Sequence, residues 1–226
     1  MSLIQFPDPR DAYEDIVVLG GALTAENLLG AYRRGIFPWP IEGWPLTWFC
    51  PAERAILEFE NLHVPRSLIK ERRSAKFRFT INQDFSSVIR HCARVKRKDE
   101  MGTWITTPMI RAYCELHRLG HAHSIEAWAG DHLAGGLYGV DAGGAFAGES
   151  MFYLRPHASK LALLHLIEHL RERGAEWLDV QVMTPHMATL GAKLITRDEF
   201  LDKLAATRAR GLRLFEDAAR SNPRMT

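Results

Sequence analysis

The stretch from His121 to Val182, HAHSIEAWAGDHLAGGLYGVDAGGAFAGESMFYLRPHASKLALLHLIEHLRERGAEWLDVQV, leaves little freedom in how this chain can be built. Three apolar or alternating runs, His123–Trp128, His132–Val140 and Ala145–Tyr153, are separated by Gly-Asp and Ala-Gly-Gly turns and predict an antiparallel meander. An amphipathic helix is expected from about Ala158 to Arg173, with Ala162, Leu163, Leu166, Ile167 and Leu170 as its apolar stripe and Gly174 as its stop. Trp177–Val182 then reads as a returning strand. A meander, a crossover helix and a returning strand predict an α/β sheet with that last strand near its middle. Period two places Asp179 and Gln181 on one face and Leu178, Val180 and Val182 on the other. A carboxylate and an amide on a central strand are short of water and need partners, which makes them site candidates. Glu149, between Gly148 and Ser150 in an otherwise apolar run, is the third.

The rest of the chain surrounds this kernel. Ile16–Leu19 reads as a strand, and Thr24 caps a helix over Leu28, Leu29, Ala31 and Tyr32 that Gly35 ends. The four prolines of Ile36–Pro51 exclude a regular helix, and its aromatic content is too high for an idle linker. A strand over Ala55–Phe59, a basic helix from Arg66, a strand over Arg78–Ile81 and a helix capped by Asp84 follow. Another helix starts at Thr107-Pro108 and stops at Gly120. Beyond the kernel come a short helix (His186–Leu190), a short strand (Lys193–Ile195) and a closing helix (Arg197–Arg210). This organisation divides the chain into a small N-terminal domain, 1–54, and a larger one, 55–226.

Composition narrows the function classes. A chain of 226 residues, 46% hydrophobic and 25% charged, is an ordinary globular protein able to bury a full core. No run approaches the roughly 20 apolar residues of a membrane helix, and no signal peptide opens the sequence. Cys50, Cys92 and Cys114 are scattered with no CxxC pair, so reduced thiols and a cytoplasmic location are expected. The net charge of +2 hides an uneven spread. Between Arg66 and Lys98, eleven Lys/Arg stand against Glu71 and Asp84, a local +9 that leaves −7 elsewhere. A basic patch on a near-neutral protein predicts a polyanionic partner.

Trp39 and Trp104 sit among turn residues instead of on a periodic apolar face, as two indoles that stack on a flat base would. His117, His121 and His123 do not make a zinc site: Gly120 interrupts them and no suitable fourth ligand lies nearby, so no metal is expected. The turn before the crossover helix, LRPHASK, lacks the glycine-rich cradle that holds the pyrophosphate of CoA. There is no Walker A pattern and no GxSxG elbow, and no cofactor is expected.

The strings GGALTAENLLGAYRRGIFPW, HVPRSL, TWITTPMIRAYCELHRLGHAHSIEAW, LAGGLYGV, FAGESMF, ASKLALL, LDVQ and HMATLGA, in this order from about Gly20 to Phe200, resemble the bacterial leucyl/phenylalanyl-tRNA–protein transferase family. The resemblance implies a GNAT-like N-acyltransferase domain behind a small N-terminal domain. It implies transfer of Leu or Phe, with Met as a further donor, from aminoacyl-tRNA to proteins that begin with Arg or Lys, marking them for degradation without CoA or metal. Carried over by position, Trp39 and Trp104 stack on the terminal adenosine, while Phe146 and Leu163 line the pocket for the apolar side chain. Asp179 orients the attacking α-amine or accepts its proton, Gln181 fixes the geometry beside it, and Glu149 attracts the cationic acceptor terminus. Arg66, Lys70, Arg72, Arg73, Arg94, Lys96, Arg97 and Lys98 are expected to hold acceptor-stem phosphates without reading bases.

The chain departs from the family pattern in three places. Asp179-Val180-Gln181 replaces Asp-Cys-Gln, Cys50-Pro51-Ala52-Glu53-Arg54 replaces Ser-Pro-Asp-Pro-Arg, and Gly21-Ala22-Leu23 replaces Gly-Asp-Leu. Two other readings compete. A peptidoglycan-type aminoacyltransferase expects a longer chain with two such domains, and a non-catalytic RNA-binding module leaves the acidic strand unexplained.

Overall fold

The computed structural model describes residues 3–12, 14–95 and 104–216. Lys96, Arg97 and Lys98 lie outside the described residues. In chain order the elements are β1 (Ile16–Leu19), α1 (Ala25–Tyr32), β2 (Phe37–Pro38), β3 (Thr47–Phe49), β4 (Glu53–Glu58), α2 (Arg66–Arg73), β5 (Arg78–Ile81), α3 (Phe85–Cys92) and α4 (Thr107–Arg118). Then follow β6 (Ala122–Ala129), β7 (His132–Asp141), β8 (Phe146–Tyr153), α5 (Ala158–Glu172), β9 (Trp177–Gln181), α6 (Pro185–Thr189), β10 (Lys193–Thr196) and α7 (Arg197–Ala209). Thr24 and Asp84 cap their helices as the sequence asks, and Thr106 does the same for α4: each accepts a backbone N–H at the start of its helix. Asn27, which stands where a capping-box acid is usual, instead accepts from Ile4 N and donates to the Ala22 carbonyl, tying the N-terminal segment to α1.

Two sheets result. The Pro- and Trp-rich segment supplies β2 and β3, which join β1 in a three-stranded sheet of order β1-β3-β2. The larger, mixed sheet has order β10-β4-β9-β8-β7-β6-β5. It is antiparallel except between β8 and β9, which run parallel and are joined by the crossover through α5. This meander, crossover helix and parallel return give the α/β, N-acyltransferase-like class. One face of the sheet is covered by α5, with Phe146, Leu178 and Leu163 in its core. The other face, with Ile56, Tyr138, Ala147 and Trp177, packs against α1, α3, α4 and α7. The apolar surface of α5 is wider than one stripe, because Leu161 and Leu164 turn away from the sheet and pack on Leu68 of α2.

Beside β9 and at Glu149 the expected alternation breaks at two bulges. Tyr138 pairs with Ser150 and Gly139 with Gly148, so Glu149 has no partner across the ladder. Ile56 pairs with Asp179 and Ala55 with Gln181, which leaves Val180 as the extra residue. Bulges re-aim the side chains around them, so simple period two does not describe this end of β9. Gly139 makes the first bulge possible: a Cβ there would sit 2.3 Å from the Ala147 carbonyl oxygen and 2.5 Å from the Phe146 ring. Gly139→Ala is therefore expected to lower the unfolding free energy by about 2 kcal/mol, the usual scale of forced overpacking. Urea denaturation checks this, and an unchanged midpoint would show that the hairpin can relax.

Candidate active site

The strands β8 and β9 share only two paired positions, Phe146 with Leu178 and Ala147 with Asp179, and then part. Ligands bind where the carboxyl ends of parallel strands leave such a crevice. Glu149 and Gln181, two of the candidates singled out in the sequence, stand at this opening.

Asp179 is buried and bound on every side. Arg54 of β4 donates from Nε to Oδ1 at 2.9 Å and from Nη2 to Oδ2 at 2.7 Å. The two side chains are 1% and 6% exposed, so this bidentate pair is withdrawn from water. The guanidinium carbon lies 4.6 Å from the ring centre of Phe37 and 4.5 Å from that of Phe200. Oδ1 of Asp179 also accepts the Gln181 backbone N–H at 2.9 Å, closing a turn in which Gln181 takes a left-handed φ of 61°.

Gln181 Nε2 in turn donates to Glu149 Oε1 at 2.5 Å. The Tyr113 hydroxyl of α4 donates to Glu149 Oε2 at 3.1 Å, and the Tyr32 hydroxyl of α1 lies 2.5 Å from that of Tyr113. Burial pushes the Glu149 carboxyl up to about 7, against the pull of the phenols and the amide, while the nearby Asp179 charge raises it further. Burial and the Glu149 charge both hold the two tyrosines well above the usual phenol range, so they remain neutral donors. Every group that hydrogen-bonds to Glu149 among the described residues is thus neutral. Asp179, by contrast, already has its cation.

The other expected residues are placed as follows. Trp39 and Trp104 come together as a stacked pair, ring centres 5.5 Å apart and 17° from parallel, partly buried against the core. Phe146 and Leu163 are both buried in the layer between the sheet and α5. Arg66, Lys70, Arg72 and Arg73 line α2, where Arg72 is already paired with Glu168 at 2.6 Å. Arg94 is exposed just beyond α3. The histidine cluster has local work: His117 donates from Nδ1 to the Ala122 carbonyl and stacks on Phe85, and His123 Nδ1 meets the Asn82 amide. Arg54, Tyr32 and Tyr113 escaped the sequence argument. Arg54 follows a Pro-Ala-Glu turn with nothing local to mark it, and each tyrosine falls on the apolar face of a helix, where it reads as core.

The family description "Leucyl/phenylalanyl-tRNA protein transferase" matches residues 56–205, and the description of that family's N-terminal domain matches residues 21–52. The leucyl/phenylalanyl-tRNA–protein transferase of Anaeromyxobacter dehalogenans strain 2CP-C is 50% identical over 88% of this chain and 86% of its own. That of Pseudoalteromonas atlantica is 47% identical over 89% and 87%, and that of Shewanella loihica 44% over 96% and 92%. This chain belongs to the leucyl/phenylalanyl-tRNA–protein transferase family. It is an aminoacyltransferase. A solved structure of L-PGS from Bacillus licheniformis overlaps 59% of this chain and 47% of its own at 16% identity and a TM-score of 0.38, too distant to align a site. No helix among the described residues is long and apolar enough to cross a membrane.

The elevated Glu149 carboxyl has a measurable consequence for the transferase fold. A group that binds its proton more tightly folded than unfolded stabilises most below the unfolded pKa and loses that contribution as pH rises through the folded value. Glu149 should therefore cost the fold stability as pH climbs from about 4.5 to about 7. Relative to wild type, Glu149→Gln is expected to gain on the order of 2–3 kcal/mol over that interval. Chemical denaturation at a series of pH values measures the difference, and a flat difference would place the Glu149 pKa near its unfolded value.

Proposed function

We propose that this enzyme transfers Leu or Phe, with Met as a further donor, from aminoacyl-tRNA to the α-amino group of proteins that begin with Arg or Lys, in the cytoplasm where charged tRNA is available. The observation that carries the acceptor class is Glu149. Its carboxyl is pushed up to about 7 and so ionises across neutral pH, it stands where β8 and β9 part, and among the described residues only neutral donors hydrogen-bond to it. A carboxylate so placed favours a cation, and an N-terminal Arg or Lys brings its α-ammonium and a charged side chain together. A non-catalytic RNA-binding module would give no reason for that carboxylate.

The chemistry is aminolysis of an ester. The amine nitrogen attacks the aminoacyl carbonyl, a C–N bond forms, the C–O bond to the ribose breaks, and one proton passes from nitrogen to the departing oxygen. The amine must first be neutral. An α-ammonium has a pKa of about 7.7–8, close to the value of about 7 at Glu149, so handing over that proton costs only about 1 kcal/mol. Glu149 therefore suits both attraction of the acceptor and removal of its proton. For Asp179, the orienting role is the one its bonding supports, because Arg54 and the Gln181 N–H already occupy its oxygens. Gln181 bridges the two acids. Alignment of amine and ester is the largest contribution available, about 7–11 kcal/mol in well-oriented systems. The stacked Trp39–Trp104 pair supplies a flat face for the terminal adenine, and Phe146 with Leu163 the apolar floor for the donor side chain.

Transfer of labelled leucine from Leu-tRNA to otherwise identical proteins beginning with Arg, Lys or Met tests this reading. Label is expected on the first two, and absent or equal labelling of all three would reject it. In the same assay Glu149→Gln should weaken use of the Arg-initiated acceptor more than that of a small neutral amine.

The helix α2 supports phosphate docking. Arg66, Lys70 and Arg73 have no carboxylate within ion-pair distance among the described residues, whereas Arg72 does. Replacing the three with glutamine should raise the Michaelis constant for Leu-tRNA and flatten its salt dependence, while an aminoacyl-adenosine donor without those phosphates is used as before. Equal losses with both donors would reject docking through α2.

A further inference from the structure

Asp179 and Glu149 never touch a common cation, yet one residue outside the opening governs both. Arg54 enters from β4, and its guanidinium lies between the rings of Phe37 from β2 and Phe200 from α7. Its Nε and Nη2 take one Asp179 oxygen each, which fixes the plane of the carboxylate. So fixed, Oδ1 meets the Gln181 N–H and closes the turn that holds Gln181 at a φ few side-chain-bearing residues adopt. That turn directs the Gln181 amide onto Glu149. We propose that Arg54 is a positioning residue of this transferase: through the Asp179 carboxylate it locks the left-handed turn at Gln181 and so sets the hydrogen bond that prepares Glu149 for the acceptor amine.

Each link has a direction. The Gln181 N–H···O bond favours the ionised form of Glu149, so losing it raises the Glu149 pKa. The other groups facing Glu149 are Tyr32 from α1, Tyr113 from α4 and the Asp179 charge from β9; those facing Arg54 are Asp179, the Cys50 thiol and Tyr32. None of them supplies a second amide donor to Glu149, so nothing else in the site replaces the lost bond.

The inference rests on the proposed use of Glu149, and one experiment separates the two. The pH dependence of kcat/KM for an Arg-initiated acceptor, at fixed Leu-tRNA, is recorded for wild type, Gln181→Leu, Arg54→Lys and the double variant. Lysine keeps the charge but cannot grip both Asp179 oxygens. Expected is an acid limb near pH 7 in wild type, moved up by roughly half to one pH unit in Gln181→Leu, the scale of one hydrogen bond to a carboxylate. Arg54→Lys should move the limb in the same direction, and the double variant no further than Gln181→Leu alone. A merely structural role would lower the amount of active enzyme and leave the limb in place. An upward shift in Gln181→Leu with none in Arg54→Lys, or additive shifts in the double variant, would overturn the inference. Absence of any limb in wild type would instead overturn the reading of Glu149 on which it rests. Should Arg54→Lys fail to fold, Arg54→Met combined with Asp179→Leu fills the same space without a buried charge; because it also removes the Asp179 charge that raises the Glu149 pKa, its readout is that adding Gln181→Leu moves the limb no further, and a further upward shift would overturn the inference.

Discussion

A guanidinium and a carboxylate that are both taken out of water must be matched to each other, because either one alone would be a buried, uncompensated charge. Arg54 and Asp179 impose that condition on the whole assembly. Phe37 brings the N-terminal sheet to one side of the guanidinium, Phe200 brings the closing helix to the other, and Asp179 ties in the strand that returns from the crossover. A second arginine repeats the arrangement nearby. Arg197, at the start of α7, donates to the carbonyls of Cys50, Pro9, Ala12 and Glu14, so the N-terminal segment and the last helix are held by charge-assisted bonds to backbone. The β9 edge of the crevice is thereby fixed to β4, and the Gln181–Glu149 bond ties it to β8.

Three buried or partly buried carboxylates on the same sheet show how the surroundings assign roles. Asp179 is neutralised by a guanidinium, which leaves it an anchor. Glu126 on β6 is fully buried and accepts from the Thr80 and Ser124 hydroxyls and from the backbone N–H groups of Gln83 and Asp84, so it pins the turn between β5 and α3. Glu149 has the phenols and one amide and stands at an opening. Only the third stands beside the parting of β8 and β9, and there burial has brought the carboxyl to about 7. The chemical type is the same in all three, and the partner decides what each one does.

The sequence carried the elements and singled out the acid–amide pair of the candidate site because both are written in local pattern. The Gly-Asp and Ala-Gly-Gly turns mark the meander, Gly174 ends the crossover helix, and an acid–amide pair on a returning strand marks the opening. What it could not carry is set by contacts across long stretches of chain. Arg54 meets Asp179 over 125 residues, and Tyr113 meets Glu149 over 36, with no periodicity linking either pair. The bulges were hidden for a different reason. Val180 and Glu149 look like ordinary strand positions until the neighbouring strand fixes the register, and the left-handed turn at Gln181 depends on an oxygen that Arg54 holds in place. Alternation therefore singled out Asp179 and Gln181 while misjudging their geometry.

The departures from the family pattern follow the same division between backbone and side chain. At Cys50 the structure uses the N–H, which donates to Asp15 O, and the carbonyl, which accepts from Arg197. At Ala52 it uses the N–H toward the Asp15 carboxylate and the carbonyl toward Arg197 N. These contacts survive any residue that can adopt the same backbone, so Ser and Asp can give way to Cys and Ala without disturbing how the N-terminal segment meets the sheet. Val180 is the bulged residue, and its side chain packs into the α5 layer on the face away from Glu149, so replacing Cys by Val there changes packing and leaves the acid–amide pair as it was. Arg54 is the one member of that variable stretch whose side chain reaches the site, through a bidentate bond that no other residue type can make. With Pro51 it is one of the two residues that the chain shares with the family pattern at that turn, as the physical argument requires of a residue whose fork, and not merely its charge, is in use.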